Sequence, residues 1–173
     1  MKRYLPEPIV CVPVSALRTL AKQCARLGEP GLAGLREAGR VAGRCIFDAL
    51  GWTPATLTPA AFWTALDGKL QELGLGSLDF EALDPGLGVV EWKRSPEAGD
   101  RSDTAETVGC ELATGILHGA LSRAAGRPVS VLEVKCGAGT GEACRFLVAS
   151  ESRLSAIRER VSCGTPVEAA LGP

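Results

Sequence analysis

The sequence is poor in aromatic residues and histidine and carries almost no net charge. Of its 173 residues only 5% are Phe, Trp or Tyr and one is His, while 19 Lys and Arg against 20 Asp and Glu leave a net charge of −1. A near-neutral chain without a basic run lacks the electrostatic footprint of a nucleic-acid-binding or membrane-surface protein. The single histidine, His118, has no Ser or Cys motif beside it from which a catalytic triad could form. We therefore expect no nucleic acid partner and no hydrolytic activity.

Long hydrophobic runs are also missing. No stretch approaches the roughly 18 apolar residues of a membrane span. Pro6, Pro8 and Pro13 interrupt the apolar segment near the N-terminus before it could form the hydrophobic region of a signal peptide. With 46% hydrophobic and 23% charged residues, the chain has the composition of a globular domain. We expect a cytoplasmic protein without membrane insertion, folded as a single domain over residues 1–173.

Cysteine, by contrast, is plentiful, with seven residues. The count is odd, and four of the seven show no spacing typical of a small disulfide framework: Cys11, Cys24, Cys45 and Cys163. We expect these four to behave as small buried hydrophobic residues. The other three lie in the last third of the chain, and their spacing indicates chemistry.

Apolar residues at helical spacing predict five helices, over about residues 14–27, 31–50, 59–73, 103–125 and 151–161. The fourth begins with Asp103 and Glu106, an arrangement like a capping box, and would hold Cys110 in its second turn. The tail 163–173 has no periodicity and is expected to be loose, and segment 1–13 is expected to be irregular. Three of these helices come first along the sequence, and the last one precedes the tail.

The second predicted helix contains Gly34, Gly39 and Gly43, each costing up to about 1 kcal/mol relative to Ala in a helix interior. Glycines at such a cost indicate that another helix approaches closely. The sequence leaves two possible partners for this glycine-containing helix. The helix could pack tightly within its own domain, or its glycine face could lie in a subunit contact; the prediction of a homodimer rests on the second alternative.

Four strands are expected, over about residues 77–83, 87–93, 129–136 and 144–149. The first two are joined by Asp84-Pro85-Gly86, a strong turn signal, and a polar surface loop is expected over residues 94–102. Strands joined by short turns pair antiparallel. The predicted fold is therefore α+β, a four-stranded antiparallel sheet packed against helices.

Two of the clustered thiols, Cys136 and Cys144, bracket a glycine-rich loop between the last two strands, and Cys110 precedes them on the long helix. Three thiolates with the carboxylate of Glu133 would supply the roughly four tetrahedral ligands that zinc requires. The alternative is that the thiols are buried hydrophobic residues and Glu133 lies on the surface. The loop sequence GAGTG joins antiparallel strands and does not open a helix, so it does not predict nucleotide binding.

The stretch from Cys110 to Phe146 resembles the 4-vinyl reductase domain family, whose members share a fold with subunits of the TRAPP vesicle-tethering complex. The family motif is a Glu, a Cys three residues later, and a Cys eight residues after that followed by Arg-Phe, with a further Cys upstream. Glu133, Cys136, Cys144 and Cys110 hold these places. The resemblance implies a zinc site made of these four residues.

Four protein ligands leave no open position, so such a zinc would be structural and would hold the long helix to the second hairpin. A site with three thiolates and a carboxylate needs surrounding donors, for which Lys135, Arg145 and the amides of residues 137–141 are candidates. His118 lies two turns beyond Cys110 and is not expected to be a ligand. The family name suggests a reductase, but no flavin or nicotinamide motif is present, and catalysis is not expected.

Aromatic side chains of the helices and the first hairpin could line a pocket between helices and sheet, namely Phe62, Trp63, Phe80 and Trp92. The alternative is a core filled by its own side chains. The family includes sensory domains that bind small aromatic molecules. The resemblance implies that Trp92 holds the place of a ligand-binding Trp, although no His accompanies it.

We therefore predict a non-enzymatic, zinc-stabilised sensor or carrier of a hydrophobic or aromatic small molecule. A dimeric scaffold like the TRAPP subunits, or an accessory protein of bacteriochlorophyll (tetrapyrrole) synthesis that presents a substrate to a separate reductase, are the alternatives that the resemblance implies.

Overall fold

A computed structural model describes residues 12–51, 58–98, 109–138 and 140–171. Its regular elements, in chain order, are α1 (Val14–Arg26), α2 (Glu29–Ala49), α3 (Pro59–Glu72), β1 (Ser77–Asp84), β2 (Leu87–Lys93), α4 (Glu111–Ala125), β3 (Ser130–Lys135), β4 (Cys144–Ala149), α5 (Glu151–Ser162) and α6 (Val167–Ala170). The predicted order of helices and hairpins is confirmed. None of these helices is long and apolar enough to cross a bilayer, within the ranges that the structure describes.

The four strands form one antiparallel sheet in the order β1-β2-β4-β3. Each hairpin contributes its later strand to the centre, where Val90 of β2 pairs with Phe146 of β4, and Trp92 pairs with Cys144. Residues at even positions of β2 and β4 therefore face the same side of the sheet. The α+β fold predicted from the sequence is confirmed.

The sheet separates two hydrophobic clusters. The larger cluster lies between the sheet and helices α2, α3 and α4, and its fully buried members include Leu66, Leu70, Trp92, Leu117 and Phe146. The smaller one covers the opposite face with α5 and α6, and includes Val89, Leu147, Leu154, Ile157 and Ala170. Each central strand is thus buried on both faces, which explains its nearly continuous apolar sequence.

Helices α2 and α4 run side by side in the same direction and make a close helix contact. A Cβ atom added to Gly39 would lie 2.2 Å from the carbonyl oxygen of Leu112, and one added to Gly43 would lie 2.1 Å from that of Ile116. Gly115 of α4 approaches α2 in the same way. Gly39 and Gly43 therefore pack within their own chain, the first of the two alternatives, whereas Gly34 has open space around it. The homodimer stays a prediction.

Two local predictions are wrong. Helix α4 begins at Glu111, so Cys110 precedes its first turn; Asp103 and Glu106 lie outside the described residues. The C-terminal tail is not entirely loose, because residues 167–170 form α6 and its Ala170 is fully buried.

The four cysteines outside the cluster are not fully buried where the structure describes them. Cys163 is exposed, and Cys24 and Cys45 are partly buried, while Cys11 lies outside the described residues. Cys163 follows the last turn of α5, where the chain turns through Gly164 toward α6. Its position at the end of a surface helix explains its exposure.

Candidate metal centre

Three elements bring the predicted ligands together. Cys110 lies directly before α4, Glu133 lies in β3, Cys136 follows the end of β3, and Cys144 begins β4. One ligand atom from each residue lies within 4.8 Å of all the others, and His118 is not part of the group. Cys110 and Cys144 are buried, whereas Glu133 and Cys136 are partly exposed. The cluster therefore joins the start of α4 to the mouth of the β3–β4 hairpin.

The sulfur spacing fits a tetrahedral metal better than it fits a disulfide. The Cys110 Sγ atom lies 3.4 Å from Cys144 Sγ and 3.9 Å from Cys136 Sγ. A zinc–thiolate bond of about 2.3 Å gives a tetrahedral edge of about 3.8 Å between sulfurs. Sulfurs in a disulfide are separated by only about 2.05 Å. Three thiols at this separation, with a carboxylate beside them, are a donor set that suits zinc.

Glu133 has one buried carboxylate oxygen that no group of the described residues satisfies. Its Oε2 accepts a hydrogen bond of 2.7 Å from the backbone N–H of Cys110. Its Oε1 is buried and has no hydrogen-bond partner among the described residues. Burial raises the pKa of Glu133 to about 7. A buried oxygen without a partner is costly unless a cation or a donor satisfies it, so the residues present fit a metal ion.

The thiols influence one another's ionisation strongly. Hydrogen bonds from Cys110 and Cys144 lower the pKa of Cys136 far below its usual value. The hydrogen bonds with Cys136 and Cys144, together with burial, raise the pKa of Cys110 well above its usual range. The Cys110 contact lowers the pKa of Cys144, but hydrogen bonding to Cys136 and burial together outweigh it and raise that pKa to about 11. A cation bound among the three sulfurs would favour the thiolate form of all of them.

Backbone amides of the loop after β3 face the sulfurs. The N–H of Gly137 donates to Cys144 Sγ at 3.4 Å, and a hydrogen bond from the amide of Ala138 contributes to the lowered pKa of Cys136. A Cβ atom on Gly137 would lie 2.0 Å from the carbonyl oxygen of Glu142, so only glycine fits this turn. The loop amides therefore donate to the sulfurs, as the sequence predicts for residues 137 and 138.

The predicted charged donors lie elsewhere. Lys135 forms an ion pair of 2.8 Å with Glu142, and Arg145 lies 3.9 Å from both Glu91 and Glu168. Both cations are therefore engaged by other carboxylates and not by the cluster. Neighbouring residues of a strand point to opposite faces, so Arg145 points away from the side on which its neighbour in β4 carries a ligand thiol.

A residue that the sequence does not reveal, Glu97, lies beside the cluster. Its carboxylate accepts hydrogen bonds from the backbone N–H groups of Leu112 at 3.0 Å and Ala113 at 2.8 Å. Burial raises the pKa of Glu97 to about 7, although these hydrogen bonds act in the opposite direction. The prediction that residues 94–102 form a polar surface loop is therefore wrong for Glu97, which packs against α4, and for Ser95 and Pro96, which are buried. Residues 99–102 lie outside the described residues. The contact of Glu97 with α4 spans 15 residues, so no local pattern reveals it.

The structure brings together three of the four predicted pocket residues. The rings of Phe62 and Trp63 meet edge to face at 5.1 Å, and Trp63 stacks on Phe80 at 4.2 Å. Trp92 packs instead against Phe146, is fully buried, and donates its indole N–H to the carbonyl oxygen of Leu75 at 2.7 Å. Because that N–H is already satisfied, Trp92 does not offer a ligand-binding donor in this conformation.

Two clefts of the described residues lie away from these aromatic rings. One, of about 220 Å³, is lined by Glu91, Lys135, Glu142, Ala143 and Arg145. The other, of about 240 Å³, is lined by Gln71, Gly74, Gly76 and Arg94. Both are smaller than the roughly 300 Å³ at which ligand pockets typically begin, and neither has an aromatic lining. The larger hydrophobic cluster packs around fully buried residues such as Leu66 and Leu117.

Comparison with sequence families identifies the segment that carries the cluster. Residues 89–150 match the 4-vinyl reductase domain. The match runs from β2 to the end of β4 and contains all four candidate ligands. The family resemblance predicted from the sequence is thereby confirmed. A comparison with curated proteins finds no match.

Solved structures extend this similarity to most of the chain. The phenol-responsive sensory domain of the transcription activator PoxR, solved with phenol, matches with a TM-score of 0.72 and 16% identity, covering 91% of this chain and 84% of that one. A trafficking protein particle complex subunit 3 from Naegleria fowleri, covalently bound to palmitic acid, matches with a TM-score of 0.60 and 14% identity, covering 79% of this chain and 91% of that one. A vinyl-4-reductase family protein from Methanocaldococcus jannaschii matches with a TM-score of 0.50 and 16% identity, covering 82% of this chain and 83% of that one. At these identities the comparisons establish a shared fold.

Proposed function

We propose that this protein is a non-enzymatic, cytoplasmic small-molecule-binding domain, a sensor or carrier, whose fold is stabilised by zinc bound to Cys110, Glu133, Cys136 and Cys144. The observation that carries the metal site is the convergence of these four ligand atoms within 4.8 Å. Zinc would supply a positive charge that keeps the thiols ionised and fixes their tetrahedral arrangement. With four protein ligands, the proposed role is structural.

The stacked rings of Trp63 and Phe80 are the best candidate for ligand contact. Phe80 is 37% exposed, on the edge strand β1, and its ring lies over Gly88, where an added Cβ would be 2.4 Å away. A planar hydrophobic ligand could stack against Trp63 in place of this ring, with Phe62 behind it. The PoxR sensory domain, which has the same fold, was solved with phenol, and this supports an aromatic ligand. Trp92 would contribute only to the packed core beside the proposed metal site, where it pairs with Cys144.

A TRAPP-like dimeric scaffold is the second candidate. The observation in its favour is the burial of the side chains of the larger cluster, together with the two clefts described above, which are smaller than a usual ligand pocket. In this role the protein would be a homodimer. The four-residue metal site would be retained, but no ligand would stack on Trp63 in place of Phe80.

The metal part is tested by elemental analysis of the purified protein. We expect about one zinc per chain, and we expect the double variant Cys110→Ser with Cys136→Ser to lose it. Cys163→Ser is the matched control, because this thiol is exposed and lies outside the cluster. Full zinc content in the double variant would contradict the proposed site.

The ligand part is tested by thermal shift and tryptophan fluorescence with a panel of phenols, fatty acids and porphyrins. A ligand that binds only the native state adds about 2.7 kcal/mol at a hundredfold excess over Kd. Phe80→Ala should increase the response to phenol, because it vacates the stacking position on Trp63. Leu20→Ala is the control, since Leu20 is a 52% exposed apolar residue of α1 that takes no part in the stack. If no compound stabilises the wild type or Phe80→Ala, the scaffold function replaces ligand binding.

A further inference from the structure

Helix α4 begins without a side-chain cap of its own. Cys110 occupies the N-cap position, where Ser, Thr, Asp or Asn would ordinarily accept a hydrogen bond from the first turn. Its side chain makes no such bond, because the thiol lies within 3.9 Å of both other sulfurs. Its backbone N–H is also engaged, by Glu133 Oε2. The residue that would normally cap the helix is thus fully used by the metal centre.

Glu97 takes over the capping role from a distance. Its two carboxylate oxygens accept from the N–H groups of Leu112 and Ala113, which are the second and third residues of α4. These are the positions that an N-cap side chain normally satisfies. A carboxylate is also favoured there by the helix dipole. Glu97 therefore satisfies the first turn of the helix that positions Cys110.

The segment that carries Glu97, residues 94–98, is held at both ends. Arg94 has a φ of 57°, and its carbonyl oxygen lies against Gly76, where a Cβ atom would be only 2.7 Å away. Arg18 of α1 donates to the carbonyl oxygens of Pro96 at 3.1 Å and Ala98 at 3.3 Å. A segment fixed in this way can hold the Glu97 carboxylate at a defined position.

We propose that Glu97 is a positioning residue of the metal centre, which holds the first turn of α4 and through it the Cys110 thiol at the distance required for metal binding. The inference rests on the proposed zinc site. Residues that orient metal ligands typically change metal affinity by about 10- to 100-fold when they are replaced. Without the Glu97 carboxylate, two backbone donors of α4 lose their partner, and the first turn can unwind with Cys110 attached to it.

The experiment compares zinc affinity, by competition with a chromophoric chelator, in the wild type, Glu97→Ala, Glu97→Gln and Glu111→Gln. Glu97→Ala removes both acceptors, whereas Glu97→Gln keeps one carbonyl oxygen. Glu111→Gln is the matched control, because it removes the same charge from the same helix end without removing the cap. We expect about tenfold weaker binding in Glu97→Ala. Glu97→Gln should recover part of the loss, and Glu111→Gln should stay near the wild type.

Cobalt substitution gives an absorption signal that a loss of protein stability alone would not change. The thiolate-to-cobalt absorption reports how many sulfurs bind the metal. In Glu97→Ala it should fall toward the intensity of a Cys110→Ser variant, which retains two thiolates. If wild type binds zinc and Glu97→Ala binds it with equal affinity and full thiolate absorption, the positioning role is wrong while the metal site stands. If wild type binds no zinc or cobalt, the proposed site fails, and the role of Glu97 fails with it.

Discussion

Burial shifts the pKa of two carboxyl groups, one within the cluster and one beside it, in the same direction. Burial raises the pKa of both Glu97 and Glu133 to about 7, although each accepts at least one backbone hydrogen bond that opposes the rise. The desolvation cost therefore exceeds the gain from those hydrogen bonds. For Glu133 a metal would offset this cost directly. For Glu97 no cation is paired with the carboxylate among the described residues, so its effect on stability should be visible as pH changes.

The stability of the protein should depend on the ionisation of Glu97. Between pH 4.5 and 7 the folded state retains a proton that the unfolded state releases, so stability from this group falls as pH rises through that window. A shift from 4.5 to about 7 corresponds to about 3 kcal/mol. Urea unfolding at several pH values should show the wild type losing stability relative to Glu97→Gln over this window. Both proteins are compared after the metal has been removed by a chelator, so that Glu133 contributes equally to each and the difference isolates Glu97; a difference that does not vary with pH would contradict this.

The sequence reveals a site residue most readily when its contacts are with residues nearby along the chain. Glu133, Cys136 and Cys144 lie within twelve positions of one another, and hairpin geometry converts that spacing into proximity. Cys110 lies 23 residues before Glu133, and the family motif is what connects it to the other three. The contacts of Glu97 with α4, and of Phe80 with the helix α3, join distant elements. Neither spacing nor hydropathy carries that information.

At the scale of elements, the α2–α4 contact determines where the metal centre can form. Backbone atoms meet directly at Gly39 and Gly115, so α4 is held at one distance and in one rotation. Ion pairs close both ends of the contact, between Arg36 and Glu111 at 2.5 Å and between Asp48 and Arg123 at 2.8 Å. The backbone contact at these glycines directs the start of α4, and Cys110 with it, toward the β3–β4 hairpin, while the two ion pairs lie at its partly exposed edges.

The glycines of α2 offer a matched test of this contact. Gly39→Ala would place Cβ 2.2 Å from the carbonyl oxygen of Leu112 and force the helices apart, at a cost of about 1–3 kcal/mol or more. Gly34→Ala has open space around its Cβ and should stabilise the same helix by about 0.5–1 kcal/mol. Urea unfolding midpoints should move in opposite directions. Equal effects from the two variants would show that close helix packing is not what requires Gly39.

Prediction of elements succeeds where periodicity is strong and fails at their ends. The strands are correct because turn signals such as Asp84-Pro85-Gly86 bound them. The predicted start of α4 is wrong because a capping-box pattern occurs at Asp103, whereas in the structure the helix begins at Glu111 and is capped by Glu97. Helix α6 is missed because four residues are too few to show a helical period.

At the scale of the whole molecule, the two hydrophobic clusters differ in their dependence on the metal centre. Cys110 and Cys144 belong to the larger cluster, and Cys136 packs against it. The smaller cluster, with Leu154 and Ile157 of α5, contains none of the four ligands. The proposed zinc therefore joins α4 to the sheet on one face only. Removing it should weaken that face more than the other.

Hydrogen exchange with and without zinc should reveal this asymmetry. After removal by a chelator, amides in the first turn of α4 and around Gly137 should lose protection, because three thiols and Glu133 no longer share a cation that holds these segments together. Amides of α5 and of its partner strand β4 near Leu147 should be less affected, since their packing involves apolar side chains such as Leu154. Cys163→Ser should behave like the wild type in both states. A uniform loss of protection across both faces would instead show that zinc stabilises the molecule as one cooperative unit, while unchanged protection at Gly137 would argue against a metal at this site.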